Sequence, residues 1–148
     1  MSIEEYLTGL QALLRSVSET DFKLNSPEYW PAAYYNLPQQ EHCLKEVKGS
    51  IDKLRGPVEG ALSRREEMVR GARPLEGQRV QETATLLSTN WDKLNKLYQD
   101  RLKRWQDCNS KWHKFVSDQK ALEEWLTDAE STLKLADSDP AAHRQHLR

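Results

Sequence analysis

Residues 86–133 read LLSTNWDKLNKLYQDRLKRWQDCNSKWHKFVSDQKALEEWLTDAESTL, and the spacing of their apolar side chains decides the fold. Steps of seven from Trp91 reach Tyr98, Trp105, Trp112, Gln119, Leu126 and Leu133. Steps of seven from Leu87 reach Leu94, Arg101, Cys108, Phe115, Leu122, Ala129 and Ala136. The two series are offset by four and three residues, the seam of a coiled-coil-like helix. Only Arg101 and Gln119 interrupt it with polar groups, and no period-two alternation competes with it. Neither glycine nor proline occurs from Gln78 to Asp139. One helix over that whole span would measure roughly 93 Å at ~1.5 Å per residue.

Upstream, the same spacing recurs in two shorter pieces. Ile3, Leu7, Leu10, Leu14 and Val17 predict a first helix over about 2–19. Leu44, Val47, Ile51, Leu54, Val58 and Ala61 predict a second over about 38–70, with Pro38 in its first turn, where a missing N–H costs nothing. Gly56-Pro57 falls inside this helix and predicts a kink or local break. Gly71-Ala-Arg-Pro74 predicts a stop, a turn and a restart, so the third helix runs from about 75. The expected core is Leu10, Leu14, Ile51, Leu54, Trp91, Leu94, Tyr98 and Trp105. The fold class is therefore all-α, a three-helix bundle whose last helix continues into a second unit.

That second unit follows from an internal echo. Shifted by 112 residues, Ile3 falls on Phe115, Leu10 on Leu122, Leu13 on Trp125, Leu14 on Leu126 and Val17 on Ala129. A complete unit is expected over 1–108, and the first helix and the start of the second helix of a following unit over 109–148. The new unit stops almost at once, at Ala136-Asp-Ser-Asp-Pro140, which predicts a piece of a longer array.

Composition narrows the function. Among 148 residues, 22 basic and 23 acidic side chains leave a net charge of −1, which offers no footprint for nucleic acid. No apolar run approaches the ~18 residues needed to span a bilayer, and the N-terminus MSIEEYLTGL lacks the pattern of an export signal. Cys43 and Cys108 are read as reduced, buried structural thiols of a cytoplasmic protein. His143 and His146, near Asp137 and Asp139, fall short of the four ligands of a closed zinc site, and a solvated helix start accounts for them. His42 beside Cys43 projects about 100° away on a helix, which gives no nucleophile–base pair. With no phosphate-cradling glycine loop, HExxH or GxSxG, no enzyme and no cofactor are expected.

The remaining candidates are surfaces. Residues 25–39, NSPEYWPAAYYNLPQ, form a proline-rich loop whose Tyr29, Trp30, Tyr34 and Tyr35 either cap the bundle or anchor a partner. Two basic clusters, Arg64, Arg65, Arg70 and Arg73, then Arg101, Lys103 and Arg104, are interleaved with acids and read first as solvated faces. In the second unit, Trp112, Phe115, Leu122, Trp125 and Leu126 form an apolar stripe, the candidate partner-binding face. Left in water it predicts an antiparallel homodimer of this chain.

These residues resemble the spectrin-repeat superfamily. LLSTNWDKLNKLYQDRLKRW, with Trp91 on the seam, is similar to that family's third helix. KWHKFVSDQKALEEWLTDAESTL is similar to its first, with Trp125 at the core tryptophan. NWDKLNKLYQDR followed by KWHKFVSDQKALEEWLTDAE is most similar to the central rods of the dystrophin/utrophin group, although nesprin- and plakin-type repeats share the same grammar. The first unit departs from the pattern in carrying Leu13 where a first-helix tryptophan is usual, and in its loop 25–39. The resemblance implies a structural spacer and docking module between cortical actin and a membrane-associated complex, peripheral to the plasma membrane (the sarcolemma, if dystrophin-like). It also allows weak contact of the basic clusters with actin or anionic lipid. The alternative is an adaptor whose amphipathic helix 109–136 is itself the ligand.

Overall fold

The computed structural model describes residues 1–30 and 36–138, with side chains as far as residue 134. Its described residues are all-α, without strand, in the order α1 (Ile3–Asn25), α2 (Leu37–Ser63), α3 (Arg65–Arg70) and α4 (Pro74–Ser138). The chain divides into two compact units, Met1–Gln106 and Asp107–Arg148.

Helix α1 starts where Ser2 accepts a hydrogen bond from the Glu5 amide at 3.2 Å, with Glu4 and Glu5 in the first turn to suit the positive end of the dipole. It runs six residues beyond the expected end at 19. Leu24 lies one heptad after Val17 and is fully buried, so the seam continues past the polar Thr20-Asp21 step. Thr20 spends its hydroxyl locally, donating to the Ser16 carbonyl at 2.9 Å. The helix stops at Ser26, whose extended backbone (φ −67°, ψ 127°) is what the following Pro27 demands.

Helix α2 is capped by Asn36, which accepts from the Gln39 amide at 3.3 Å, with Pro38 in the first turn. The break expected at Gly56-Pro57 falls instead at Arg64, and α2 runs through Pro57 to Ser63. Pro57 is exposed. Proline removes the amide that the Lys53 carbonyl would bond within the helix, and both residues are exposed, so water can take that amide's place. The short α3 follows, and α4 begins at Pro74.

Within the first unit, α1 and the early part of α4 run in the same direction. Glu4 faces Arg79 at 4.0 Å at one end, and Leu24 accepts from Arg101 at the other. Helix α2 runs opposite: the Tyr6 hydroxyl donates to the Ala61 carbonyl, and the Cys43 thiol points to the Lys23 carbonyl at 3.7 Å. One cluster joins them: Leu7, Leu10, Val17 and Leu24 of α1, Leu44, Val47, Ile51 and Val58 of α2, and Val80, Ala84, Leu87, Trp91, Leu94 and Tyr98 of α4. Each large side chain so buried contributes roughly 1.5–3 kcal/mol.

Candidate functional site

The seam residues lie at different depths. Leu10, Ile51, Trp91, Leu94 and Tyr98 are buried, whereas Leu14, Leu54 and Trp105 are half-buried against the same cluster. Trp105 covers the end of the bundle and donates its indole N–H to the Leu37 carbonyl at 2.9 Å. This satisfies the one polar atom that a packed tryptophan brings with it.

That end of the first unit gathers the chemistry of the chain. Arg101 donates through Nε to the Leu24 carbonyl at 3.1 Å and through Nη2 to Asn25 Oδ1 at 3.3 Å. Its guanidinium also lies 5.6 Å from the centre of the Trp30 ring. Trp30 and Tyr29 are half-buried and packed on the core, while Tyr34 and Tyr35 lie outside the described residues. Beneath them Cys43 is fully buried. Burial pushes its thiol pKa up, and the Trp30 indole opposes this more weakly. Cys108 is half-buried, so the two thiols differ in depth. The buried Gln40 side-chain oxygen finds no hydrogen-bond partner among the described residues.

Two buried phenols complete the titratable interior. Tyr6 is raised above its ordinary value by burial, against the opposing pull of Arg65 and Arg64. Tyr98 is raised by burial and by the Asp52 carboxylate. Among the described residues no group of three or more His, Cys, Asp or Glu side chains is placed to hold a metal ion, and no helix is long and apolar enough to cross a membrane. His143, His146 and Asp139 lie outside those residues, and the side chain of Asp137 is likewise not described.

The surfaces separate more sharply. Arg101, grouped by sequence with the solvated basic cluster, joins α4 to α1, while its neighbour Arg104 pairs on the outside with Asp100 at 3.3 Å. In the second unit Trp112, Phe115, Leu122 and Trp125 are each more than half exposed, and Leu126 is 46% exposed. Trp112 and Phe115 stack on one another with ring centres 5.8 Å apart. They form a continuous apolar face on one helix, carrying no catalytic group.

A groove that the sequence reading did not anticipate opens between α1 and α2. It has a volume of about 320 Å³ and is lined by Met1, Gly9, Leu13, Pro57, Gly60 and Arg64, among others. Gly9 and Gly60 were the available signal, one on each wall, and a Cβ added at either would meet open space.

Against known proteins, the chain is 26% identical over 129 residues to utrophin from Rattus norvegicus, a match covering 87% of this chain. The same match covers 4% of utrophin, so the chain spans a small part of the length of that relative. No family model matches the chain. No solved structure matches it.

Proposed function

We propose that this chain is a structural and interaction module of an elongated cytoskeletal rod. In this reading residues 1–108 are a spectrin-like three-helix repeat, and residues from 109 onward begin the next repeat. The observation that carries it is the single heptad frame of α4. Positions buried in the first unit at Leu87, Trp91, Leu94 and Tyr98 recur in step at Trp112, Phe115, Leu122 and Leu126 in the second. A frame kept in register serves a spacer, because bending a helix without a glycine or proline costs backbone hydrogen bonds and packing. The sequence similarity to utrophin supports a cytoskeletal rod module, and the spectrin-repeat resemblance of the sequence implies a place between the actin cytoskeleton and the membrane. The chemistry is then that of docking, with catalysis absent.

Spin labels on the exposed face of α4, at Leu86→Cys and Ser117→Cys with both native cysteines replaced by serine, test the spacer. A single narrow distance distribution is expected. A broad distribution, with a hinge near residues 105–112, removes the proposed mechanism. A second reading rests on the exposed face of the second unit, which suits an adaptor whose helix 109–136 is the ligand of another protein.

A further inference from the structure

Residues that a helix tolerates poorly converge on the groove between α1 and α2. Beyond their first turns these helices hold five glycines and prolines: Gly9, Gly49, Gly56, Pro57 and Gly60. Three of the five, Gly9, Pro57 and Gly60, line this one groove, from two separate helices. A breach of local helix preference repeated at one place marks a site kept for something other than stability. Close approach of the helices is not the reason for the glycines, since a Cβ at Gly9 or Gly60 would meet no atom within 4 Å. Their effect is to leave the groove wide. Pro57 acts on its chemistry: with no amide at that position, the Lys53 carbonyl beside the proline ring is an acceptor outside the helix ladder. The rest of the wall is largely apolar, with Leu10, Leu13 and Ala61, and the Tyr6 hydroxyl is already bonded to the Ala61 carbonyl. Glu5 and Arg64 stand toward the Met1 end, where Arg64 Nη1 lies 3.9 Å from Met1 Sδ.

We propose that this groove is a docking site for one tryptophan side chain of a partner protein, with the indole body against Leu13 and the Pro57 ring and its N–H donated to the Lys53 carbonyl. The volume, about 320 Å³, is at the small end of ligand sites and suits a single aromatic ring system better than a whole helix. An apolar wall with one free acceptor selects an apolar body with one donor, and among side chains the indole has that form. A phenylalanine or leucine anchor would cover the carbonyl and leave it unpaired. Tryptophan is also a favoured anchor where protein surfaces meet. The inference rests on the docking role in the proposed function. The spin labels read α4 alone, whereas this site belongs to α1 and α2, so either can fail without the other.

Amide NMR of the full, isotope-labelled chain tests this with two probes: skatole, which is the tryptophan side chain, and its N-methyl derivative, which lacks the donor. Skatole is expected to shift the Gly9 and Gly60 amides saturably, with a dissociation constant on the order of 1 mM, as for a fragment of that size. The N-methyl derivative is expected to bind about three- to tenfold more weakly, the worth of one hydrogen bond. Pro57→Ala returns an amide to the Lys53 carbonyl and is expected to bring the two probes to equal affinity. Gly9→Leu combined with Gly60→Leu is expected to abolish binding with the thermal midpoint of the first unit no lower. Absence of saturable shifts, or shifts confined to residues 112–133, overturns the proposal. So does equal affinity of the two probes for the parent chain, a preference that persists in Pro57→Ala, or binding that survives the two leucines. Tighter binding of p-cresol, the tyrosine side chain, overturns the choice of tryptophan.

Discussion

Arg101 on α4 donates to the carbonyl of Leu24 at the end of α1, at 3.1 Å, and so turns an interruption of the apolar seam into a tie between two helices. The last carbonyls of a helix have no amide partner within it, and a cation there meets both a free acceptor and the negative end of the dipole. Asn25 and the face of Trp30 take the remaining sides of the guanidinium. Replacing Arg101 by Ala is expected to cost about 1–2 kcal/mol, the worth of a charged hydrogen bond that is partly open to water. Replacing it by Lys is expected to recover part of this, since an ammonium cannot match the planar fork. Urea denaturation of the two variants measures both. An alanine variant as stable as the parent would make the tie incidental.

Trp91 supplies the reference for the core. It is 7% exposed, lies between Leu87 and Leu94 on the seam, and its carbonyl accepts from the Asn95 amide group at 2.8 Å. Trp91→Ala is expected to destabilise the first unit by about 3–5 kcal/mol, the usual cost of emptying so large a site. Lys96→Ala, five residues on and exposed, is expected to stay within about 0.5 kcal/mol of the parent. Equal effects would mean that the seam is assigned to the wrong face.

Most of the architecture was legible because burial follows spacing along a helix. Leu7, Leu10 and Val17, Leu44, Val47, Ile51 and Val58, and Leu87, Trp91, Leu94 and Tyr98 could all be placed from the four–three rhythm alone. The ends of helices were less legible, since they depend on single polar groups. Thr20 looks like a terminus until its hydroxyl is seen bonded within the helix, and Pro57 looks like a break until its exposure is known. Arg101 could be marked as an exception but not explained, because its acceptor lies 77 residues away in sequence. The groove at Gly9 and Gly60 was not legible for a related reason: it depends on which faces of α1 and α2 oppose each other.

The interior phenols and thiol give the protein an alkaline limit. Cys43, Tyr6 and Tyr98 all have their pKa raised, chiefly by burial, so the folded state favours their neutral forms. Between the ordinary values and the raised ones the folded chain holds protons that the unfolded chain has lost. Stability is therefore complete below the ordinary thiol and phenol values of 9.0 and 10.0, and falls as pH rises through the raised ones. Tyr6→Phe is expected to lose about 1 kcal/mol at neutral pH with its hydrogen bond to Ala61, and to decline less steeply in alkali. Denaturant midpoints measured upward from neutral pH check this. An unaltered alkaline slope would exclude Tyr6 as a contributor.

Pro57 is a place where stability was left unclaimed. It sits inside α2, exposed to solvent, where it lines the groove between α1 and α2. An alanine there restores an amide for the Lys53 carbonyl and removes the ring's clash with the preceding turn. Against that, the unfolded chain regains the freedom that proline denies it, worth up to about 1 kcal/mol. The helix term of about 3 kcal/mol exceeds this, so Pro57→Ala is expected to stabilise the first unit by about 1–2 kcal/mol. The thermal midpoint should rise accordingly.

The two cysteines should respond very differently to a thiol reagent. Reaction requires thiolate and access together. Cys43 has neither, being fully buried with its pKa pushed up and its thiol turned to the Lys23 carbonyl at 3.7 Å. Cys108 is half-buried and so has access. Native chain is expected to take one equivalent of an aromatic disulfide quickly at mildly alkaline pH, at Cys108. The second equivalent should appear at the rate at which the first unit opens, and both should react at once in denaturant. Arg101→Ala, which loosens the joint above Cys43, is expected to quicken the slow phase alone. Labelling of Cys43 as fast as Cys108 in the native chain would show that the end of the bundle around Trp30 and Trp105 stands open.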